Sequence, residues 1–263
     1  MIDAMRLARG GAEVLTMVHA ATATVRHGGA PVDLSWRERK LAIAIASAPR
    51  AVLTETLARL LFPDRDDEDA GKTVKVYVYR LRRRIAADFV VRRDGGYALG
   101  PHVAVDIVQA QQIIQQLSRD DAALDDDRRR CILDLARELR SECPTALLES
   151  EWCEAIARRS RRLGHDLAMA VGGNAARHGA YRAACSIGQE LTYEDPCDEE
   201  AWELLIRAQL GHGEHAAAFR NFRCYETMLA QELDAAPSVH VRKLIHDARI
   251  ELHAASKLRI RSQ

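Results

Sequence analysis

The sequence predicts a mainly helical protein, with a mixed α+β part at the N-terminus and an all-α part after it. Period-two alternation of apolar and polar residues, which is typical of strands, occurs near the start of the chain and again around residues 89–100. The other apolar residues follow a helical period. The composition is 48% apolar and only 5% aromatic. This composition can fill a core and favours helices.

The N-terminal part is predicted to begin with two or three short antiparallel strands within residues 13–34, with a turn at the sequence GGAP. Ser35 is placed to cap a first helix, which Pro49 ends. A second, short helix is predicted from Thr54 to just before Pro63.

A third helix, Lys72–Ala87, is predicted after an acidic stretch, residues 63–69. Two extended runs around Asp94-Gly95-Gly96 predict a β-hairpin, because Asp-Gly is a favoured hairpin turn. Beyond Pro101 every segment is predicted to be helical. A sheet, three helices and a hairpin in this order predict a winged helix-turn-helix fold.

The helical half contains a repeat. Aligning His178-Gly179 with His212-Gly213 gives a period of 34 residues, and Ala183-Ala184 then fall on Ala217-Ala218. A 34-residue period is that of the helix-turn-helix unit in tetratricopeptide arrays. Chance similarity within an alanine-rich helical chain is the alternative. We therefore predict tetratricopeptide-like helical hairpins, and we expect core positions for the three tryptophans, Trp36, Trp152 and Trp202.

The formal net charge is zero, but the charges are unevenly distributed. Residues 71–100 carry eight basic side chains against two carboxylates, a net charge of +6, whereas residues 189–240 carry a net charge of −8. The first segment therefore favours an anionic partner. The six cysteines form no CxxC pair and no apolar run reaches 18 residues, so we expect a reduced, cytoplasmic protein without a membrane span.

Gly71-Lys72-Thr73 matches the end of a nucleotide-binding P-loop, which makes nucleotide binding an alternative for the basic segment. A P-loop also needs an earlier glycine and a preceding strand. Here the earlier position is Asp66, neighbouring carboxylates would repel a triphosphate, and the preceding segment is predicted to be helical. The nucleotide interpretation is therefore rejected.

Placing the third helix at 100° per residue separates an apolar stripe from a cationic face. The stripe consists of Val74, Val78, Leu81 and Ile85. The opposite face carries Lys72, Val76, Tyr79, Arg80 and Arg83, with Lys75 and Arg82 at its edge. A solvated charged face is the alternative. The lack of acidic residues from 70 to 87 and the aromatic among the cations favour binding to DNA.

These elements resemble a known combination of domains. Residues 13–107 resemble the OmpR/PhoB-type winged helix in the motifs KTVKVYVYRLRRRI and RRDGGYAL. Residues 108–256 resemble the bacterial transcriptional activator domain, most clearly in DPCDEEAWELLIRAQLGHGEHAAAFRNF. The order of the two is similar to that of SARP-type bacterial transcriptional activators. We expect no receiver domain before the winged helix and no ATPase module after the helical half.

The resemblance implies roles for individual residues. Val76, Tyr77 and Arg80 match positions that approach base edges, and Lys72, Tyr79 and Arg82 match positions that contact the DNA backbone. The hairpin is implied to act as a wing that reaches the minor groove through an arginine. The predicted DNA-binding set is Lys72, Thr73, Lys75, Val76, Tyr77, Tyr79, Arg80, Arg82, Arg83, Arg92 and Arg93.

The resemblance also implies a stretch that touches RNA polymerase, here the loop Phe62–Ala70. Its carboxylates are Asp64, Asp66, Asp67, Glu68 and Asp69. A basic polymerase surface would suit this loop, but a solvated acidic loop is equally compatible with the sequence.

The sequence thus predicts a sequence-specific DNA-binding transcription regulator, an activator that contacts RNA polymerase. The family implies binding to direct repeats in promoter DNA, a homodimer as one form, and a helical domain that offers a surface to a protein or an effector. Two alternatives stay open: a tetratricopeptide-like adaptor whose winged helix does not read DNA, and a repressor that uses the same DNA face. No catalytic residue and no cofactor are expected. A metal site is not expected either, because the pair His212 and His215 lacks further ligands at a known spacing.

Overall fold

The computed structural model describes residues 16–120, 122–142 and 151–261, with Asp67 and residues 255–261 described by their backbone alone. The described strands are β1 (Thr16–His19), β2 (Thr24–His27), β3 (Ala30–Pro31), β4 (Val90–Arg93), β5 (Gly96–Leu99) and β6 (Val103–Val105). The described helices are α1 (Trp36–Ala46), α2 (Thr54–Leu61), α3 (Asp67–Arg84), α4 (Asp106–Arg119), α5 (Asp126–Arg140), α6 (Glu151–Arg177), α7 (Tyr181–Glu194), α8 (Glu199–Gly211), α9 (His215–Leu233) and α10 (Val239–Arg261).

The chain divides into two compact units. The first comprises Met1–Ile113 with Asp134–Gly164, and the second comprises Ile114–Leu133 with His165–Gln263. The predicted domain limits, 13–107 and 108–256, remain a prediction. Residues 13–15, at the start of the first predicted domain, lie outside the described part of the chain.

A four-stranded sheet in the order β3-β2-β1-β6 forms one side of the first unit. β1 pairs antiparallel with β2 from Thr16↔His27 to His19↔Thr24, and β2 pairs antiparallel with β3. β6 pairs parallel with β1. The prediction that everything beyond Pro101 is helical is therefore wrong for β6. A three-residue strand is too short to show a period, and its partner lies more than eighty residues earlier in the chain.

Three helices complete the winged helix of the first unit. Ser35 caps α1 as predicted, and a capping box forms because the Glu38 carboxylate also accepts a hydrogen bond from the Ser35 N–H at 2.8 Å. α2 begins at Thr54, as predicted. The core between these elements includes Leu41, Leu57 and Val74, all with fully buried side chains.

α3 extends over a different range from the one predicted. It runs from Asp67 to Arg84, not from Lys72 to Ala87, so that the end of the acidic stretch forms its first turn. Carboxylates are favourable there because the N-terminus of a helix carries a partial positive charge. The sequence interpretation treated these carboxylates as a loop and therefore placed the start too late.

The first unit also contains a buried carboxylate, Asp106, at the start of α4. Its side chain accepts hydrogen bonds from the N–H groups of Ala20 at 2.9 Å and of Ile107 at 2.7 Å. Burial raises the pKa of Asp106 above its ordinary value. These bonds tie α4 to the chain that follows β1.

The second unit contains the helical hairpins that the repeat predicted. Gly179 and Gly213, which the 34-residue alignment pairs, lie in the turns after α6 and α8 with φ of 73° and 81°. Ala184 and Ala218, which the alignment also pairs, are both fully buried. A Cβ at Gly172 would lie 2.5 Å from the Leu204 side chain, so this position must stay small.

The last helix of the second unit is fixed by the Glu199 carboxylate. Its Oε2 accepts a hydrogen bond from the Tyr225 hydroxyl at 3.0 Å and another from the Ser238 N–H at 3.0 Å. Val241 and Ile245 of α10 then bury their side chains in a cluster with Ile206, Ala218 and Phe222. One carboxylate at the start of α8 therefore holds both α9 and the beginning of α10.

Two further expectations concern exposure. Trp152 and Trp202 are half-buried, but Trp36 is 43% exposed with the Lys40 Nζ 4.4 Å from its ring, so the core prediction is wrong for Trp36. Among the described residues, none of the helices combines the length and apolar character needed to span a bilayer.

Candidate nucleic-acid interface

α3 separates its side chains into a buried stripe and an exposed face, as predicted. Val74, Val78, Leu81 and Ile85 are all buried, with Val74 and Leu81 completely so. On the other side the exposed residues are Lys72, Lys75, Val76, Tyr79, Arg80 and Arg83. Val76 is 49% exposed and Tyr79 is 61% exposed. Exposing two large apolar groups on a helix costs hydration free energy, and this is typical of a surface that contacts a partner.

Three cations on this face form no ion pair with a described carboxylate. No carboxylate of the described residues lies within ion-pair distance of Lys75, Arg80 or Arg83. Their charges are therefore available to an external anion.

Tyr77 supports the face from its edge. Its half-buried ring stacks on Phe62 with a centroid distance of 6.1 Å, and the guanidinium of Arg80 lies 5.4 Å from the Tyr77 ring centroid. This cation–π contact holds Arg80 over the ring and limits its freedom. The sequence interpretation missed Phe62, since nothing in a linear pattern indicates which ring will stack on Tyr77.

Arg82 and Arg84 are used mainly within the fold. The Arg82 Nε donates a hydrogen bond to the Val90 carbonyl at 2.7 Å, which joins α3 to the first strand of the hairpin. Arg84 donates to the Asp33 carbonyl at 3.0 Å and lies 3.5 Å from the buried Glu38 carboxylate. The hydrogen bond from the Arg82 Nε therefore positions the hairpin relative to α3.

The hairpin β4–β5 forms the wing. Asp94 and Gly95 form its turn, with φ of 51° and 77°, the left-handed pair that a type I′ turn requires. Arg92 and Arg93 precede this turn and are exposed, with Arg93 Nε 3.8 Å from the Asp94 carboxylate. The tip of the wing therefore presents two arginines to solvent.

The root of the wing is held by backbone contacts. Tyr97 and Val52 exchange two backbone hydrogen bonds of 2.8 Å. A Cβ at Gly96 would lie 2.5 Å from the Val52 carbonyl oxygen, so only glycine permits this approach. The Arg92 guanidinium lies 5.5 Å from the Tyr97 ring centroid. The sequence interpretation took Gly96 as part of the turn and missed its packing against Val52.

Lys72 differs from the other cations of the face. Its Nζ lies 2.9 Å from Glu68 and 3.5 Å from Asp69, and the hydrogen bond that Lys72 donates to Glu68 raises the pKa of Lys72. All three side chains are largely exposed. Thr73 is half-buried and its hydroxyl donates to the Asp69 carbonyl at 2.8 Å. Both residues belong to the predicted set, but both are engaged with the first turn of α3.

The acidic segment lies beside the N-terminal end of this face. Asp64, Asp66, Glu68 and Asp69 are exposed. Asp67 lies on the first turn of α3, and its side chain is outside the described part of the structure. The segment therefore combines a short loop with a helical turn, in place of the single loop that was predicted.

The described residues contain no group of three or more His, Cys, Asp or Glu side chains that could hold a metal ion. His212 Nε2 lies 3.4 Å from Arg182 Nε and 3.8 Å from Glu214. His212 thus lies beside Arg182 of α7 and beside Glu214 of the turn between α8 and α9.

These features define a class of protein: a winged helix with an exposed cationic face on its third helix, followed along the chain by tetratricopeptide-like helical hairpins. Residues 105–249, more than half of the chain, match the bacterial transcriptional activator domain. The chain therefore belongs to the bacterial transcriptional activator domain family, whose members are transcription regulators.

Relatives cover both parts of the chain. It is 24% identical over 232 residues to the regulatory protein AfsR of Streptomyces griseus, which covers 80% of this chain and 23% of AfsR. It is 33% identical over 82 residues to TorR, the TorCAD operon transcriptional regulatory protein of Escherichia coli K12, which covers 30% of this chain and 36% of TorR. The chain thus spans well under half the length of either relative.

A solved structure shows the same architecture. EmbR of Mycobacterium tuberculosis, in complex with a low-affinity phosphopeptide, superposes with a TM-score of 0.63 at 18% identity and covers 95% of this chain and 72% of EmbR. This similarity confirms the predicted fold class. Together the matches confirm the resemblance to SARP-type bacterial transcriptional activators.

Proposed function

We propose that this regulator binds double-stranded DNA sequence-specifically through α3 and the hairpin, and that it activates transcription. The observation that carries the proposal is the set of three exposed cations, Lys75, Arg80 and Arg83, which no carboxylate of the described residues neutralises. Cations that project from one side of a helix neutralise the phosphates on the two walls of a major groove.

Arg80 is the residue proposed to read sequence. The major groove of B-DNA is wide enough to admit a helix, and a guanidinium can donate two hydrogen bonds to one guanine. The stack on Tyr77 orients Arg80 before DNA arrives, so that less side-chain freedom is lost on binding. Val76, 49% exposed, supplies apolar surface that a thymine methyl group can contact, and Tyr79 lies beside it to contact the DNA backbone.

Arg92 and Arg93 are proposed to contact the adjacent minor groove. A narrow minor groove concentrates negative potential and attracts an inserted arginine. The backbone pairing of Tyr97 with Val52 and the Arg82–Val90 hydrogen bond hold the wing at a fixed position relative to α3. The two groove contacts would therefore form together.

The exposed carboxylates Asp64, Asp66, Glu68 and Asp69 are proposed to contact a basic surface of RNA polymerase, together with Asp67. Their position at the N-terminal end of α3 supports this, since a DNA-bound α3 would leave the preceding segment beside the duplex. The same proposal includes binding to direct repeats in promoter DNA as a homodimer. It also includes a protein or an effector that binds to the helical hairpins, and it implies that the chain acts in the cytoplasm.

Selection of bound fragments from genomic DNA with the purified chain tests the proposal. Binding to a selected fragment is then measured by fluorescence anisotropy in a salt series. About six phosphate contacts predict a log–log slope near −5, because each contact releases condensed counterions. A flat response would instead favour the adaptor alternative. Transcription from the selected promoter separates activation from repression.

Arg80→Ala is expected to cost about 1–3 kcal/mol of binding free energy and to relax the base preference at one position. Arg83→Ala is the matched control, because it removes the same charge from the same face and is expected to weaken binding to all sequences alike. Equal losses on specific and unrelated DNA for Arg80→Ala would contradict its assignment to a base. Affinities on the selected fragment and on a scrambled one give the comparison.

A further inference from the structure

We propose that the first unit carries a second binding site, a cavity at the root of the wing that takes a small amphiphilic organic anion. The cavity has a volume of about 920 Å³. It is formed by the end of α1 with the loop to α2, by the ends of the hairpin, and by β6 with the first turns of α4. Small-molecule sites have volumes of roughly 300–1,000 Å³, so the cavity is large enough for a molecule of several rings.

Apolar side chains form part of the cavity lining. Ile45, Pro49, Leu99, Val105 and Val108 line it. Val108 is 41% exposed although it lies on a helix that has a buried face, so a large apolar group is open to whatever occupies the cavity. Burying such surface favours a ligand with a hydrophobic body. DNA phosphates alone would not use this lining.

Two arginines give the rim of the cavity a positive charge. Arg50 and Arg93 line it and are exposed, and Asp94, 3.8 Å from Arg93, is the one carboxylate among the lining residues. No carboxylate of the described residues lies within ion-pair distance of Arg50. The balance of charge at the rim therefore favours an anionic group, and Arg50 can form a forked pair with a carboxylate or sulfonate.

Gln109 and Gln112 of α4 also line the cavity. The lining thus specifies an apolar body and one anionic group.

8-Anilinonaphthalene-1-sulfonate has both features, and its fluorescence rises when it enters an apolar environment. We expect the full chain to bind it with a saturable, single-site response. N-phenyl-1-naphthylamine has the same rings and N–H but no sulfonate, and it is expected to bind about tenfold more weakly because one charge-assisted pair is lost. Equal affinity for both probes would overturn the anionic specificity.

Two substitutions assign the response to the cavity. Arg50→Ala is expected to weaken the sulfonate probe about tenfold and to leave the neutral probe unchanged. Val108→Trp is expected to abolish binding of both probes, since the indole fills the space. Arg159→Ala is the control, because Arg159 is exposed on α6 and outside the cavity. Unchanged affinity for both probes in both cavity variants would overturn the site. Arg50 is exposed, so Arg50→Ala tests the site even if Val108→Trp fails to fold.

The cavity shares Arg93 with the wing, so occupancy is expected to compete with DNA. This consequence rests on the proposed function. A fixed concentration of the sulfonate probe, near its wild-type Kd, should weaken DNA binding by the wild-type chain more than DNA binding by Arg50→Ala, which holds less probe at that concentration. DNA affinity that does not change while the probe is bound would overturn the coupling. Failure of the proposed DNA binding would appear separately, as a chain that binds the probe and no DNA.

Discussion

At the scale of single residues, Lys72 shows that a cation on the proposed DNA face is not automatically available to DNA. Lys72 and Arg80 lie on the same exposed face, but only Lys72 has carboxylates of its own helix within 4 Å. Exposed i,i+4 pairs contribute little to stability. Such a pair can nevertheless lower the positive potential that phosphates meet. Glu68 and Asp69 thus set the charge at one end of the face.

Glu68→Gln is expected to strengthen DNA binding modestly and to make the salt slope steeper by about 0.9, because Lys72 becomes able to replace one counterion at a phosphate. The measurement is anisotropy on the selected fragment across a salt series. Glu226→Gln in α9 removes the same charge from the second unit and serves as the control. An equal gain in the control would show that overall charge, not Lys72, causes the effect.

At the scale of elements, the wing depends on close backbone packing at its root. Gly96 lies so near the Val52 carbonyl that an added methyl group would have to move β5 away from residues 52–53. The neighbouring Gly95 has a positive φ and open space around it. Two adjacent glycines therefore serve different purposes: Gly95 permits the turn, and Gly96 permits the contact that orients it.

Gly96→Ala is expected to destabilise the chain by about 1–3 kcal/mol, the usual cost of overpacking a tight contact, and to weaken DNA binding through the displaced wing. Urea denaturation and anisotropy give the two values. Gly95→Asn is the control, since asparagine tolerates the left-handed backbone of this turn and meets no atom there. A Gly96→Ala chain with unchanged stability would mean that the root adapts and does not fix the wing.

The elements also show what the sequence could predict. The buried stripe of α3 was predictable because a helical period is a local property, and the turn at Asp94-Gly95 was predictable because its left-handed backbone selects residue types. β6 and the contact between Gly96 and Val52 were not, because both depend on chain segments distant in sequence. The sequence was sufficient to predict that Arg80 and Arg83 lie on an exposed cationic face. The hydrogen bond from Arg82 to the Val90 carbonyl could be seen only in the structure.

At the scale of the whole molecule, a fall in pH changes the contribution of one carboxylate in each unit to folding stability, and the two changes have opposite signs. Burial raises the pKa of Asp106 in the first unit, so its folded state holds a proton that the unfolded chain has lost. Its contribution to stability therefore falls as pH rises from 3.8 through the folded pKa. Burial alone would raise the pKa of Glu199 in the second unit, but hydrogen bonds from Ser238 and Tyr225 lower it.

The lowered pKa of Glu199 determines how its contribution to folding stability depends on pH. The folded state binds fewer protons than the unfolded state, so the stabilisation is present above the ordinary pKa of 4.5 and is lost as pH falls through the folded pKa. Because Glu199 joins Tyr225 of α9 to the start of α10, its protonation weakens the end of the second unit.

Glu199→Gln is therefore expected to lower the free energy of unfolding by about 1 kcal/mol near neutral pH, since a charged acceptor of two hydrogen bonds becomes a neutral one. The difference from wild type should shrink as pH falls from 4.5 through the lowered pKa of the folded state. Urea denaturation of both chains between neutral and acid pH measures this difference, and the other titrating groups cancel in it. Glu200→Gln, which removes the same charge from an exposed neighbour in the same helical turn, is the control. A difference that stays constant with pH would mean that the hydrogen bonds at Glu199 do not depend on its charge.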